Sequence, residues 1–218
     1  MVVNAKHFDM IRETFMFPFL FSMKLLICCA TPSELKTVKT EIKKLHFKTA
    51  FPVEYLCTGI GNHLSIFHLT KFLTQHRDEQ YFIINLGVCG YHFPEGKKSD
   101  FPCIQGSVIH HLSLEKEAIV PLFLQVAPLG NLISSDVIVN HPQQLAKFPS
   151  SHPLFIDMES WGIELVAQAF QLPRLFLKVP VDTIGTETQH FNRAQALEKL
   201  QRQLPYKTVI EKVLHYDL

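Results

Sequence analysis

Apolar runs of strand length alternate with amphipathic stretches along almost the whole chain from Met23 onward, and this is how a helix-flanked, largely parallel sheet reads. The pattern predicts strands at Lys24 to Ala30, Val53 to Thr58, Tyr81 to Val88, Ser107 to Leu114, Pro121 to Pro128, Leu154 to Met158 and Arg174 to Val181. Their β-branched content favours strand over buried helix. Between them Leu35, Val38, Ile42 and Leu45 recur at helical spacing, with Lys36, Lys39, Lys43 and Lys44 on the other face. A second helix is expected from about His63 to Gln75. A third, from Glu159 to Phe170, is apolar enough to be deeply buried, with Trp161, Leu165 and Ala169 on one stripe and Val166 and Phe170 beside it. A last helix, Arg193 to His215, contains Pro205, which lacks a donor and should kink or split it.

Length and charge narrow the classes further. At 218 residues with 47% apolar content, the chain fits one domain with a sizeable core. A formal net charge of +1, from 21 basic and 20 acidic residues, gives no electrostatic footprint for nucleic acid or an anionic membrane, so a small, weakly charged ligand is expected. The five cysteines are odd in number, form no C-x-x-C pair, and place Cys28 beside Cys29, which reads as reduced, cytoplasmic usage. Cys57, Cys89 and Cys103 lack zinc-ligand spacing, and no metal or cofactor is expected. The apolar stretch Phe15 to Phe21 resembles a signal or short anchor, but Arg12, Glu13 and Lys24 interrupt it, and it falls short of the roughly 18 residues that span a bilayer. Residues 1–22 are therefore expected to be an extension or overlong start, with the domain at 23–218.

Three carboxylates stand out, each with a plain explanation beside a chemical one. In Thr31-Pro32-Ser33-Glu34 the spacing is that of a capping box, so Glu34 serves a helix start; equally, a carboxylate just past a sheet strand sits where open α/β folds bind ligands. In Asp157-Met158-Glu159 a helix dipole accounts for Asp157 better than for Glu159, whose helix is too apolar to lie on the surface. A buried carboxylate there needs donors, and ligand hydroxyls are good ones. Asp182 follows the strand Arg174 to Val181, where a turn aspartate is the plain reading. All three are expected on one rim of the sheet. Thr58-Gly59-Ile60-Gly61-Asn62 and Asn85-Leu86-Gly87-Val88-Cys89-Gly90 each place glycines after a strand, matching neither a dinucleotide fingerprint nor a P-loop. Gly90 and its companions are expected to let the backbone approach a sugar or base.

These parts occur together in an order that resembles the nucleoside phosphorylase superfamily, and within it the methylthioadenosine/S-adenosylhomocysteine nucleosidase branch with its futalosine-hydrolase relatives. The resemblance runs from Met23 to the C-terminus and rests on Glu34 beyond the first strand, Thr58-Gly59-Ile60-Gly61, Asn85 to Gly90, Ser135-Asp136 with Ile138-Val139-Asn140, Asp157-Met158-Glu159, and Pro180-Val181-Asp182. It implies a three-layer α/β/α fold with a central mixed, partly closed β-sheet, and a homodimer. It also implies roles. Glu34 matches the base that activates water, Glu159 the ribose-hydroxyl binder, Met158 the residue packing on the sugar, and Asp182 the acid facing purine N7. Ile138 and Val139 match the positions flanking the base. The family usually carries serine where Val88 stands and arginine where Lys178 stands, both near the attacking water, so water placement or the 5′ substituent is expected to differ. Met158 and Lys178 also retain a reading as ordinary core and strand residues.

Cleavage of an N-glycosidic bond leaves positive charge on the ribose and negative charge on the purine, so carboxylates around the sugar and an acid at the base suit the reaction. Phosphorolysis is the nearest rival, but a phosphate dianion wants arginines and amides; the Ala30 to Glu34 loop has no arginine, and Glu34 would repel the anion. A third reading is a non-catalytic nucleoside-binding protein, motivated by Val88 and Lys178. Aspartate at position 182 suits a 6-aminopurine. The departures at Val88 and Lys178 lean the substrate toward aminodeoxyfutalosine or futalosine, hence menaquinone synthesis, with methylthioadenosine or S-adenosylhomocysteine as the alternative.

Overall fold

The computed structural model describes residues 23–45, 52–93, 101–148, 152–185, 188 and 190–214. The expected extension at residues 1–22 lies outside them. In chain order the elements are β1 (Lys24–Cys29), α1 (Pro32–Lys44), β2 (Val53–Cys57), α2 (Asn62–Gln75), β3 (Tyr81–His92), β4 (Ile104–His111), β5 (Lys116–Ile119), β6 (Leu129–Ser134), a 3₁₀ turn (Pro142–Leu145), β7 (Leu154–Asp157), α3 (Ser160–Ala169), β8 (Arg174–Thr183), α4 (Arg193–Gln203) and α5 (Tyr206–Leu214).

All eight strands belong to one mixed sheet. β2, β1 and β3 run parallel, β3 pairs parallel with β8, and β6 pairs parallel with β4 and β7; β3–β7, β4–β8 and β4–β5 are antiparallel. Because β8 bonds to both β3 and β4, the strands β3, β7, β6, β4 and β8 close into a ring, with β1 and β2 extending it as an open wing. The sheet is thus the partly closed one expected.

Side-chain alternation along β1 builds the three layers. Leu26 and Cys28 join Leu69 and Leu73 of α2 and Trp161, Ile163 and Val166 of α3. Leu25, Ile27 and Cys29 face the other way, onto Val38 and Ile42 of α1, Leu200 of α4 and Val209 of α5. The α1 stripe falls where the sequence places it, and Pro205 splits the last helix into α4 and α5.

Several expectations need correction. Among the described residues eight strands form, where seven are expected, and Pro121 to Pro128 is not one of them. Its Phe123, Leu124, Val126 and Ala127 are packed against the core, which is why it reads as a strand, but its backbone is held by one buried side chain: Gln105 Nε2 donates to the Leu124 carbonyl at 2.7 Å and Gln105 Oε1 accepts the Val126 N–H at 2.9 Å. The strand pairing with β4 on that side is β6, at 129–134. In α3 the stripe is also displaced: Leu165, Ala169 and Phe170 are exposed, while Ser160, Ile163, Glu164 and Ala167 are buried. Glu164 masks this face in the sequence, because its charge is neutralised inside by a two-pronged pair with Arg174 Nε and Nη2. Finally, Gly87 and Gly90 lie within β3, which continues to His92, rather than in a turn after it. Their lack of a side chain answers close approach. A Cβ on Gly90 would stand 2.8 Å from Ile184 Cδ1.

Candidate active site

The capping box of α1 forms as the sequence suggests, and it occupies half of Glu34. Thr31, in extended conformation, accepts the Glu34 N–H on Oγ1 at 3.3 Å, while Glu34 Oε2 accepts the Thr31 N–H at 3.0 Å and its hydroxyl at 2.9 Å. The cap leaves Oε1 for the sheet. That oxygen accepts the Val88 N–H at 3.3 Å, and a Cβ on Gly87 would lie 3.3 Å from Glu34 Oε1 and 3.5 Å from Lys178 Nζ. Glu34 is buried, so one carboxylate serves both the helix start and the backbone of β3.

Glu159 reaches the same place from the opposite direction. β7 is antiparallel to β3, with Gly90 opposite Ile156, so the chain beyond Ile156 runs back toward Cys89 and Val88. The three carboxylates therefore do not share one rim of parallel strand ends; Glu34 follows β1, Asp182 lies in the last residues of β8, which is parallel to β3 as β1 is, and Glu159 arrives against them. Asp157 does what the plain reading assigns it, accepting the Ser160 N–H at 3.3 and 3.2 Å on its two oxygens. Glu159 occupies the N-cap position of α3 but makes no side-chain cap bond. Its Oε1 instead accepts the Gly61 N–H at 3.1 Å, presented by a loop whose Gly59 and Gly61 take φ of +81° and +98°.

Lys178 is the cation of this group and is only 1% exposed. Its Nζ lies 2.8 Å from Asp157 Oδ2 and 4.0 Å from Glu159 Oε2. Burial works against its charge, but Asp157, Glu159 and Glu34 outweigh burial and hold its pKa above the ordinary lysine value. Burial likewise pushes the Glu159 carboxyl up to about 7, with Asp157 adding to the rise and Lys178 and the Gly61 N–H opposing it. The folded-state value lies above the ordinary 4.5, so Glu159 stabilises the fold fully below pH 4.5 and loses that contribution as pH rises through about 7. Glu159→Gln should accordingly gain stability against the parent between pH 5 and pH 8, by about 2 kcal/mol. Chemical denaturation of both proteins at both pH values checks this; an unchanged difference would show that Glu159 carries no buried charge.

Asp182 is aimed by a bulge. Cys89 pairs with Pro180 but Gly90 pairs with Asp182, so Val181 is an extra residue in β8 at that point. A Cβ on Gly90 would lie 3.7 Å from Asp182 Oδ2, and the Thr188 hydroxyl donates to the same oxygen at 3.0 Å. Asp182 is half-buried and borders a cavity of about 690 Å³ with Tyr91, Phe191, Asn192, Gln195 and Lys199. Glu34 and Glu159 are not in that lining.

Of the remaining expected residues, Met158 is half-buried between Asp157 and Glu159, and Val88 packs its side chain against the core cluster that holds Leu86 and Val179 while its N–H serves Glu34. Gly90 stands beside Asp182. Ile138 is 66% exposed, whereas Val139 is buried with Ile133, Leu145 and Ile156. Two features escape sequence reasoning. Arg193, at the start of α4, donates from Nη2 to Ser33 Oγ at 2.7 Å, so the fold brings to the Glu34 loop an arginine that the loop itself lacks. Asn62 and His111 meet at Asp136: Asn62 Nδ2 donates to Oδ1 at 3.0 Å, and His111 Nε2 lies 3.1 Å from Oδ2. Both pairings cross more than twenty residues of sequence, so no local pattern signals them. Among the described residues no group of three or more histidine, cysteine, aspartate or glutamate side chains could hold a metal ion, and no helix is long and apolar enough to cross a membrane.

No protein-family model and no curated protein sequence matches the chain. Solved structures do match it, over nearly their whole length. A 5′-methylthioadenosine/S-adenosylhomocysteine nucleosidase from Streptococcus pneumoniae, in complex with 8-aminoadenine, is 20% identical with a TM-score of 0.66, covering 87% of this chain and 99% of that one. The Helicobacter pylori enzyme of the same name is 13% identical with a TM-score of 0.68, covering 88% and 98%. The futalosine hydrolase of Helicobacter pylori is 14% identical with a TM-score of 0.69, covering 88% and 99%. The fold is the three-layer, nucleoside phosphorylase-like one that these nucleosidases share, as the resemblance in the sequence implies.

Proposed function

We propose that the chain is a purine nucleosidase that hydrolyses the N-glycosidic bond of a 5′-substituted nucleoside, with water as the nucleophile. The observation that carries this reading is the convergence of Glu34 Oε1, the Val88 N–H, Lys178 Nζ and Glu159 around Gly87. Water beside Glu34 Oε1 loses its proton to that oxygen as it attacks the anomeric carbon. Glu159 accepts from the ribose hydroxyls and stabilises the oxocarbenium-like state, and Met158 packs on the sugar. Asp182 donates to N7 of the departing base, which Ile138 and Val139 flank, and the bare Gly90 backbone lets the base approach.

Arg193 weakens one objection to phosphate, since it lies against Ser33, but the case for water stands on Glu34. Its buried carboxylate faces the nucleophile's position and repels a dianion, and the adjacent cation Lys178 is already taken by Asp157.

We assign 6-amino-6-deoxyfutalosine or futalosine as the substrate and menaquinone synthesis, in the cytoplasm, as the setting, because Val88 and Lys178 depart from the methylthioadenosine enzymes beside the sugar. Methylthioadenosine or S-adenosylhomocysteine is the second reading, and structures of both kinds share the fold. Release of free base from each nucleoside, measured side by side, decides between them. A preference for the futalosine type by kcat/KM supports the assignment, and a preference for the methylthio nucleoside reverses it.

A homodimer is part of the proposal. Ile60, Leu64 and Phe67 are 56%, 46% and 58% exposed at and just before the start of α2, at helical spacing, with Leu165 exposed on α3, which packs against α2. Sedimentation at micromolar concentration should give twice the chain mass, and Phe67→Glu should lower it to one; a parent that sediments as an active monomer contradicts this part.

A further inference from the structure

We infer that Asn62 is a positioning residue for Glu159: its side-chain amide locks the first turn of α2 to α3 and to the loop after β6, and so holds the Gly61 N–H on Glu159 Oε1. The inference deepens the proposed function, because Glu159 is the ribose-binding carboxylate there.

The geometry around Asn62 is fully determined. The residue is 2% exposed, and its Oδ1 accepts the Gly162 N–H at 2.9 Å and the Ser134 hydroxyl at 3.0 Å while its Nδ2 donates to Asp136 Oδ1 at 3.0 Å. The orientation of the amide follows from its partners: a backbone N–H can only donate, and a carboxylate can only accept. His111 closes the set. Its Nδ1 accepts the Ser113 and Leu114 N–H groups at 3.2 and 3.0 Å, which leaves the proton on Nε2, 3.1 Å from Asp136 Oδ2. Asp136 is thereby held from both sides.

This clamp acts where two helix starts meet backbone to backbone. A Cβ on Gly162 would lie 2.5 Å from the Asn62 carbonyl oxygen, so α2 and α3 approach as closely as their main chains allow. Gly61 immediately precedes Asn62 and takes φ of +98°; its carbonyl accepts the Ser65 N–H at 3.1 Å and hydroxyl at 3.0 Å, which tie it to α2 but leave the placing of α2 against α3 to Asn62. Glu159 immediately precedes the first turn of α3. The amide of Asn62 thus fastens the donor's neighbour to the acceptor's helix. The charged groups acting on Glu159 are Lys178 from β8, Asp157 from β7 and Glu34 from α1, and none of them touches Gly61. Loss of the Gly61 bond therefore leaves the charges in place and removes one interaction that favours ionised Glu159.

The test is a ¹³C NMR titration of the Glu159 carboxyl in the full chain without nucleoside, with Glu159→Gln identifying the signal. Asn62→Ala changes no charge. It is expected to raise the ratio of protonated to ionised Glu159 at pH 7 by about threefold or more. Asn62→Asp combined with Asp136→Asn exchanges donor and acceptor and restores the bonds at this junction, so that double variant should recover most of the thermal stability that Asn62→Ala loses; the carboxylate it brings beside Gly61 acts on Glu159 directly, so the double variant is read by melting and not by titration. If Asn62→Ala does not fold, Asn62→Ser is read in the same way. A folded single variant with an unmoved Glu159, or a double variant no more stable than Asn62→Ala, overturns the inference. Because no substrate is involved, failure of the proposed nucleosidase activity would leave this result standing.

Discussion

Glu34→Gln is expected to lower kcat for nucleoside cleavage by about 10²-fold or more, the usual scale for a positioned base, while the protein remains folded. Glutamine suits the third position of a capping box as glutamate does, so its oxygen can keep the Thr31 N–H. With that oxygen toward Thr31, the amide nitrogen stands where Oε1 accepted the Val88 N–H, so two donors face each other there. A lost or mismatched bond of this kind costs about 1 kcal/mol, which for a chain of this size lowers Tm by about 2–4 °C. The catalytic loss is far larger, because an amide cannot take a proton from water. Circular dichroism and steady-state kinetics separate the two effects. Retention of more than about a tenth of parental kcat would leave Glu34 with its capping role alone.

Asp182→Asn should lower kcat by a similar factor of about 10² for a different reason. Asparagine can still accept the Thr188 hydroxyl that now bonds Oδ2, and the bulge at Val181 that aims the side chain is a property of the backbone. Nucleoside binding should persist, and the lost function is the proton for the leaving purine. A riboside with a leaving group that needs no proton, such as p-nitrophenol, discriminates: Asp182→Asn should cleave it at nearly the parental rate, whereas Glu34→Gln should remain slow on it. If Asp182→Asn is equally slow on both substrates, the aspartate shapes the site without serving as the acid.

The parts of the fold set by short-range chemistry are the parts legible in the sequence. The Thr31 capping box, the α1 stripe and the break at Pro205 each depend on residues within a few positions of one another. What depends on distant pairing was not legible. The ring closed by β8 requires β3 and β4 to meet the same strand, and no local pattern encodes that. Pro121 to Pro128 reads as a strand because its side chains are buried, yet Gln105 supplies the partners a neighbouring strand would have given. Glu164 hides the buried face of α3 because Arg174, ten residues on, neutralises it.

At the site the same division holds. Glu34, Glu159 and Asp182 can be singled out because each stands where a strand ends or a helix begins. The direction of β7, which brings Glu159 back toward Gly87, becomes apparent only from strand register. Lys178 reads from sequence as either a site residue or an ordinary strand residue, and its complete burial beside Asp157 and Glu159 makes it the cation of the cluster. Arg193 carries no sequence signal, and Asn62 stands in the sequence only as the residue after the Gly59 and Gly61 loop, since what matters in each is a partner about 70 or more residues away.

Cleavage in ¹⁸O-labelled water without phosphate tests the central claim, that water beside Glu34 is the nucleophile. The purified chain should release free purine and the 5-substituted ribose carrying one label on the anomeric carbon when trapped promptly, at a rate that added phosphate does not increase. An unlabelled sugar 1-phosphate, formed only when phosphate is present, would contradict the account.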